Sequence, residues 1–218
     1  MPVFHIIQSP VIGIWEITET WQVMLELFTD KTLFADDVRQ IQSDKRKCEW
    51  LAIRLLLKNL TGTEMRISYK DNGAPFLENN PFHISISHTK GYAALMLSQY
   101  PKPGIDIEYP SDRAWKLRTK FLSTDEQGQL CLFEHHALID AEAHSTTAAL
   151  ATICWCAKET AFKAMQVNGV DFIKHLHITP FTVADKGIIL LKETKTPKQE
   201  IFPIHYQTTD DFIFTWKE

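Results

Sequence analysis

The chain reads as an α+β protein of two similar halves, each with helices packed on an antiparallel sheet. Two observations give that class. After a pair of opening strands, helical and strand periodicities come in blocks, helices first and strands second, and that order recurs in the second half of the 218 residues. Between the blocks, Pro101-Lys102-Pro103 has the look of a hinge. A third observation, 44% hydrophobic and 23% charged residues, is the balance of an ordinary globular protein. The expected halves are residues 1–102 and 103–218, with a cleft between them of the kind that holds ligands.

Val3 to Ser9 and Val11 to Thr18 alternate like two strands broken at Ser9-Pro10. Helical patterns follow at about Glu19–Phe28 and Lys31–Gln42. A longer amphipathic helix runs from about Ser43 to Leu60 and is stopped at Thr61-Gly62. Cys48, Leu51, Ala52, Leu55 and Leu56 form its apolar stripe, and Arg46, Lys47, Arg54 and Lys58 another arc. Met65–Lys70 reads as a strand, 71–75 as a turn, and His83–His88 with Tyr92–Ser98 as a hairpin. In the second half, Trp115–Leu122 reads as helical, and Ser123 or Thr124 caps a further helix to about Leu138. Residues 140–147 read as a loop. An alanine-rich helix from Thr147 to Met165 follows, with N-cap oxygens at Ser145, Thr146 or Thr147. Strands are expected at His175–Val183, Gly187–Lys192, Ile201–Gln207 and Phe212–Trp216.

A net charge of −4 argues against a broad nucleic-acid surface, so any polyanion site must be a local basic cluster. The N-terminus lacks the pattern of a signal peptide, and no apolar run approaches the roughly 20 residues of a membrane span. The expected place is the cytoplasm, with no membrane partner. Cys48, Cys131, Cys154 and Cys156 form no CxxC and read as reduced thiols. His175 and His177 can share a strand face, but nothing completes a zinc set around them.

The chemistry concentrates in Trp155-Cys156-Ala157-Lys158-Glu159-Thr160-Ala161-Phe162-Lys163. Trp155, Glu159 and Lys163 stand four apart and line one helix face, while Ala157, Ala161, Ala164 and Met165 serve the buried side. Alone, Glu159 and Lys163 fit a surface ion pair as well as an acid/base pair. In Gly104-Ile105-Asp106-Ile107-Glu108 the two carboxylates project from one strand face, where they repel unless a cation lies between them. With Glu159 they make three hard oxygen donors, suited to Mg²⁺, with which Mn²⁺ competes on such ligands. A solvated edge strand remains the simpler alternative.

Taken together, Ile84-Ser85-Ile86-Ser87-His88-Thr89, Gly104 to Glu108 and Trp155 to Lys163 resemble, in order and separation, the three signatures of the 4′-phosphopantetheinyl transferases. The two-half length resembles the surfactin-synthetase-activating, monomeric type. Lys47 to Arg54 resembles that family's E-x-L-A-x-R segment, and Asn72-Gly73-Ala74-Pro75 its G-K-P turn, with Ala74 where lysine is usual. The resemblance implies two pseudo-symmetric α+β halves, coenzyme A as co-substrate, and Mg²⁺ on Asp106, Glu108 and Glu159. It implies transfer of the phosphopantetheine arm to a serine of an apo acyl or peptidyl carrier protein, with release of adenosine 3′,5′-bisphosphate. Glu159 and Lys163 are then catalytic. Arg46, Arg54, Gly73, Pro75, Ser87, His88, Lys158 and Lys163 are then the contacts to coenzyme A. A hydrolase using the same carboxylates and a non-catalytic module that binds coenzyme A or a carrier protein are the alternatives.

Overall fold

The computed structural model describes residues 4–8, 10–128 and 141–218, with side chains from 10–128 and 147–218. The chain divides into two compact units, residues 1–105 with Glu218, and residues 106–217.

The first unit holds strands β1 (Phe4–Gln8), β2 (Val11–Glu16), β5 (His83–Thr89) and β6 (Tyr92–Ser98) in one antiparallel sheet of order β1-β2-β6-β5. Its short helices α1 (Trp21–Glu26) and α2 (Thr32–Gln40) precede α3 (Asp44–Thr61). Ser43 caps α3 by accepting from Arg46 N, and Gly62, at φ +74°, ends it in the left-handed conformation that glycine adopts without strain. The stripe of Leu51, Ala52, Leu55 and Leu56 is buried in a common core with Trp15, Ala93 and Leu95 of the sheet. Each such leucine contributes about 1.5–3 kcal/mol by leaving water. Of the strand expected over Met65–Lys70, only Ser68–Tyr69 (β3) pairs, with Pro75–Phe76 (β4).

The second unit is a five-stranded sheet of order β7-β11-β10-β9-β8, where β7 is Gly104–Glu108, β8 Leu176–Ile178, β9 Lys186–Glu193, β10 Ile201–Thr208 and β11 Ile213–Lys217. Alternation on β9 sends Ile189 and Leu191 inward and leaves Ile188 and Leu190 outward, 54% and 48% exposed. The inner face meets helix α6 (Ala141–Met165), whose Ala157 and Ala161 let the helix backbone lie close to the strands. Thr160 Oγ1 and Thr215 Oγ1 share a buried hydrogen bond of 2.6 Å across that contact.

Several boundaries differ from those read in the sequence. The helix expected at Trp115–Leu122 begins earlier as α4 (Asp112–Leu117), because Ser111 Oγ accepts from Arg113 N, and it tightens into a 3₁₀ turn at Arg118–Lys120. A capping box of Ser123 and Glu126 opens the next helical residues, 124–128 (α5). Its expected end near Leu138 lies outside the described residues, as does Asp140. The loop expected over 140–147 is helical from Ala141 onward, so α6 is not capped at 145–147, in keeping with the high helix propensity of its alanines. His175 sits in a one-turn helix α7 (Phe172–His175) rather than a strand, since Asp171 Oδ1 accepts from both Ile173 N and Lys174 N. The strand that follows ends at Ile178. The α+β class holds. Among the described residues, no helix is long and apolar enough to cross a membrane.

Candidate active site

The pleat of β7 sets Asp106 and Glu108 on one side, and the 3.6-residue repeat of α6 brings Trp155, Glu159 and Lys163 against them. Asp106 is 5% exposed, and Lys163 Nζ donates to its Oδ1 at 2.7 Å. Trp155 Nε1 donates to Glu108 Oε1 at 3.1 Å. The indole is itself held between the rings of Phe121 and Phe172, at centroid distances of 5.1 and 5.7 Å. The side chains read as one helix face in the sequence are thus brought together with both carboxylates of the strand.

Burial raises the Glu159 carboxyl to about 7, the negative charge of Asp106 and then that of Glu108 adds to the rise, and Lys163 opposes it. Behind it, burial and the charge of Asp106 hold the Cys156 thiol well above its ordinary value, so this cysteine is inert. A cavity of about 480 Å³ opens beside Glu108 and Glu159, walled by Trp155, Phe121, Phe172 and Leu117.

Among the described residues no three His, Cys, Asp or Glu side chains already stand as a metal cage. The expected ligands Asp106 and Glu108 are instead engaged by Lys163 and Trp155. The donor chemistry nonetheless fits a hard divalent cation: Glu159 is raised by burial first, but the charges of Asp106 and Glu108 add to the rise, and that repulsion among three carboxylates is one a cation relieves.

Lys158 departs from expectation. It points into the core, is 0% exposed, and donates to Phe121 O and Glu126 Oε2 at 2.8 Å and to Phe172 O at 3.0 Å. Burial pulls its ammonium below the ordinary lysine value, and Glu126 opposes the fall. An ammonium so enclosed cannot meet coenzyme A. Its partner Glu126 went unrecognised in the sequence, although the Ser123-x-x-Glu126 spacing signals it.

In the first unit, Arg46 Nη1 donates to His88 Nε2 at 3.0 Å and lies 3.4 Å from Glu49 Oε2. His88 Nδ1 lies 3.7 Å from the same oxygen, so Arg46, Glu49 and His88 form one cluster at the end of β5. Glu49 is the acidic residue of the E-x-L-A-x-R resemblance and was not singled out as a site residue. Ser87, next to His88, is buried and faces the other side of the strand. Arg54 lies apart from that cluster: it is 5% exposed, stacks on Trp50 at 3.2 Å, and donates to Trp50 O at 2.9 Å. Burial lowers its guanidinium to about 10, with the adjacent Tyr69 opposing. Tyr69 belongs to the β3–β4 hairpin and pairs with Pro75. Gly73, at φ +80°, makes the tight turn of that hairpin.

A family model described as the 4′-phosphopantetheinyl transferase superfamily matches residues 102–216, the stretch holding β7 and α6. The chain belongs to that superfamily and is a transferase by family. Among its curated relatives are the proteins named 4′-phosphopantetheinyl transferase AcpT of Salmonella typhi and of Salmonella typhimurium. Each is 29% identical over 142 residues, spanning 62% of this chain and 69% of the relative.

Proposed function

We propose that the protein moves the 4′-phosphopantetheine arm of coenzyme A to a serine hydroxyl of an apo acyl or peptidyl carrier protein and releases adenosine 3′,5′-bisphosphate. The observation that carries this reading is Glu159 and Lys163 of α6 set against Asp106 and Glu108 of β7. Asp106, Glu108 and Glu159 are the residues that would hold Mg²⁺, or Mn²⁺ in its place. Bound there, the ion supplies charge neutralisation and alignment of the pyrophosphate. The serine oxygen forms the new bond to the phosphorus of the arm, and the bond from that phosphorus to the bisphosphate oxygen breaks. Glu159 accepts the serine proton as general base. Lys163 turns its ammonium to the charge developing on the departing bisphosphate.

On the same reading, Arg46 and His88 of the first unit contact the phosphates, and Arg54 with the Gly73–Pro75 turn contacts the nucleotide end. Ala74 removes one cation from that turn, so coenzyme A binds more weakly than with lysine there. The protein acts as a monomer of the surfactin-synthetase-activating type, in the cytoplasm, with its halves at 1–102 and 103–218.

Intact-mass spectrometry of an apo carrier protein, after incubation with this protein, coenzyme A and Mg²⁺, tests the proposal. A gain of one phosphopantetheine that vanishes on chelation supports it. Glu159→Gln is expected to lower turnover by about 10²–10⁴-fold with the fold retained. Breakdown of coenzyme A without transfer favours a hydrolase. Unmodified acyl and peptidyl carriers with intact coenzyme A favour a binding module.

A further inference from the structure

Lys158 has no part in the mechanism above, yet it is among the most completely buried side chains of the second unit. A buried ammonium is costly to keep unless its partners are fixed, and here all three are. Glu126 holds its own place through Ser123 N at 2.8 Å and Ile178 N at 2.9 Å, besides Lys158. The other two acceptors are main-chain carbonyls from segments far apart in sequence, Phe121 after the 3₁₀ turn and Phe172 at the start of α7. These are the residues whose rings flank Trp155, and Trp155 is the donor to Glu108 Oε1.

From this chain of contacts we infer that Lys158 is a positioning residue: by tying the backbones of Phe121 and Phe172 to α6 it fixes the ring cluster that aims Trp155, and through it Glu108, toward Glu159. Two adjacent residues of one helix then divide the labour. Glu159 faces the carboxylate cluster, while Lys158, about 100° round the helix, anchors the walls of the adjoining cavity. The inference rests on the proposed transfer for its kinetic consequence, and on geometry alone for its structural one.

The test replaces both members of the buried pair, Lys158→Met with Glu126→Gln, which leaves no isolated charge in the core. Two quantities are read. The first is the Trp155 indole N–H signal of the metal-free protein in a ¹H–¹⁵N spectrum, assigned with Trp155→Phe. The second is the Mg²⁺ concentration that gives half-maximal transfer. The expected result is a shifted indole signal whose exchange with solvent quickens at least about tenfold, together with a Mg²⁺ requirement raised about 10- to 100-fold. Thr160→Val, which loosens α6 on β11 elsewhere, serves as the structural comparison: a lower Tm with neither change. Lys158→Gln is the milder variant should the double one not fold, since its shorter amide cannot span both carbonyls while Glu126 keeps its bonds from Ser123 N and Ile178 N, and the same readouts decide. A folded variant with an unmoved indole signal and an unchanged Mg²⁺ requirement overturns the inference. If the wild-type protein modifies no carrier, the functional proposal falls, and the indole signal still decides the positioning.

Discussion

Glu64 provides the most quantitative prediction. Its Oε1 accepts from Thr29 N at 2.6 Å and lies 2.7 Å from Lys58 Nζ, and its Oε2 accepts from Asp30 N at 3.0 Å. One carboxylate therefore ties the α1–α2 connection to the last turn of α3. Burial pushes its pKa up, but the bonds from Lys58, Asp30 and Thr29 outweigh that and hold it at about 2, against an ordinary 4.5. At about 1.4 kcal/mol per pH unit the difference amounts to about 3 kcal/mol. Lys58 is 26% exposed, so solvent screening reduces the expected figure to about 1–2 kcal/mol. The folded-state value is depressed, so this stability is present above pH 4.5 and is lost as the pH falls toward 2. Urea unfolding at pH 7 should show Glu64→Gln less stable than wild type by about 1–2 kcal/mol, with the gap closing progressively below pH 4.5. A variant equal to wild type at pH 7, or a gap that widens on acidification, refutes the reasoning.

Other outcomes follow from single contacts. A Cβ on Gly187 falls 2.7 Å from Cε1 of the buried Tyr206 ring, so Gly187→Ala should cost about 1–3 kcal/mol, seen as a lowered Tm. Burial pushes the Cys154 thiol up to about 12 and that of Cys156 well above its ordinary value. Iodoacetamide at pH 8 should leave both unmodified in the native protein and alkylate them after unfolding, as read by peptide mass. Chelation is expected to abolish carrier modification and to leave the circular dichroism spectrum in place, because both cores are apolar and owe nothing to a metal.

Much of the site was legible because its chemistry is carried by short-range periodicity. Residues four apart on α6 share a face whatever lies around them, and residues two apart on β7 do the same, so Trp155, Glu159 and Lys163 could be grouped, as could Asp106 and Glu108. The α+β class came through for the same reason, since β9 and β10 alternate buried and outward residues over most of their length. Boundaries were less legible where a single cap decides them. Ser111 and Asp171 each start a helix by accepting main-chain N–H groups, against the apolar pattern that pointed elsewhere.

By itself, the sequence determined the fold class, the helical and strand faces that carry the charged side chains, and the family through its ordered signatures. Only the tertiary structure decided what each of those side chains faces. It turned Lys158 inward to two carbonyls and Glu126, separated Arg54 from the Arg46–Glu49–His88 cluster, and brought Lys163 to Asp106 and Trp155 to Glu108. The physical reason is that a helix repeat fixes the direction of a side chain relative to its own axis, whereas partners, burial and pKa depend on segments distant in the chain. Phe121, Glu126 and Phe172 lie 37, 32 and 14 residues from Lys158, and no local pattern relates them.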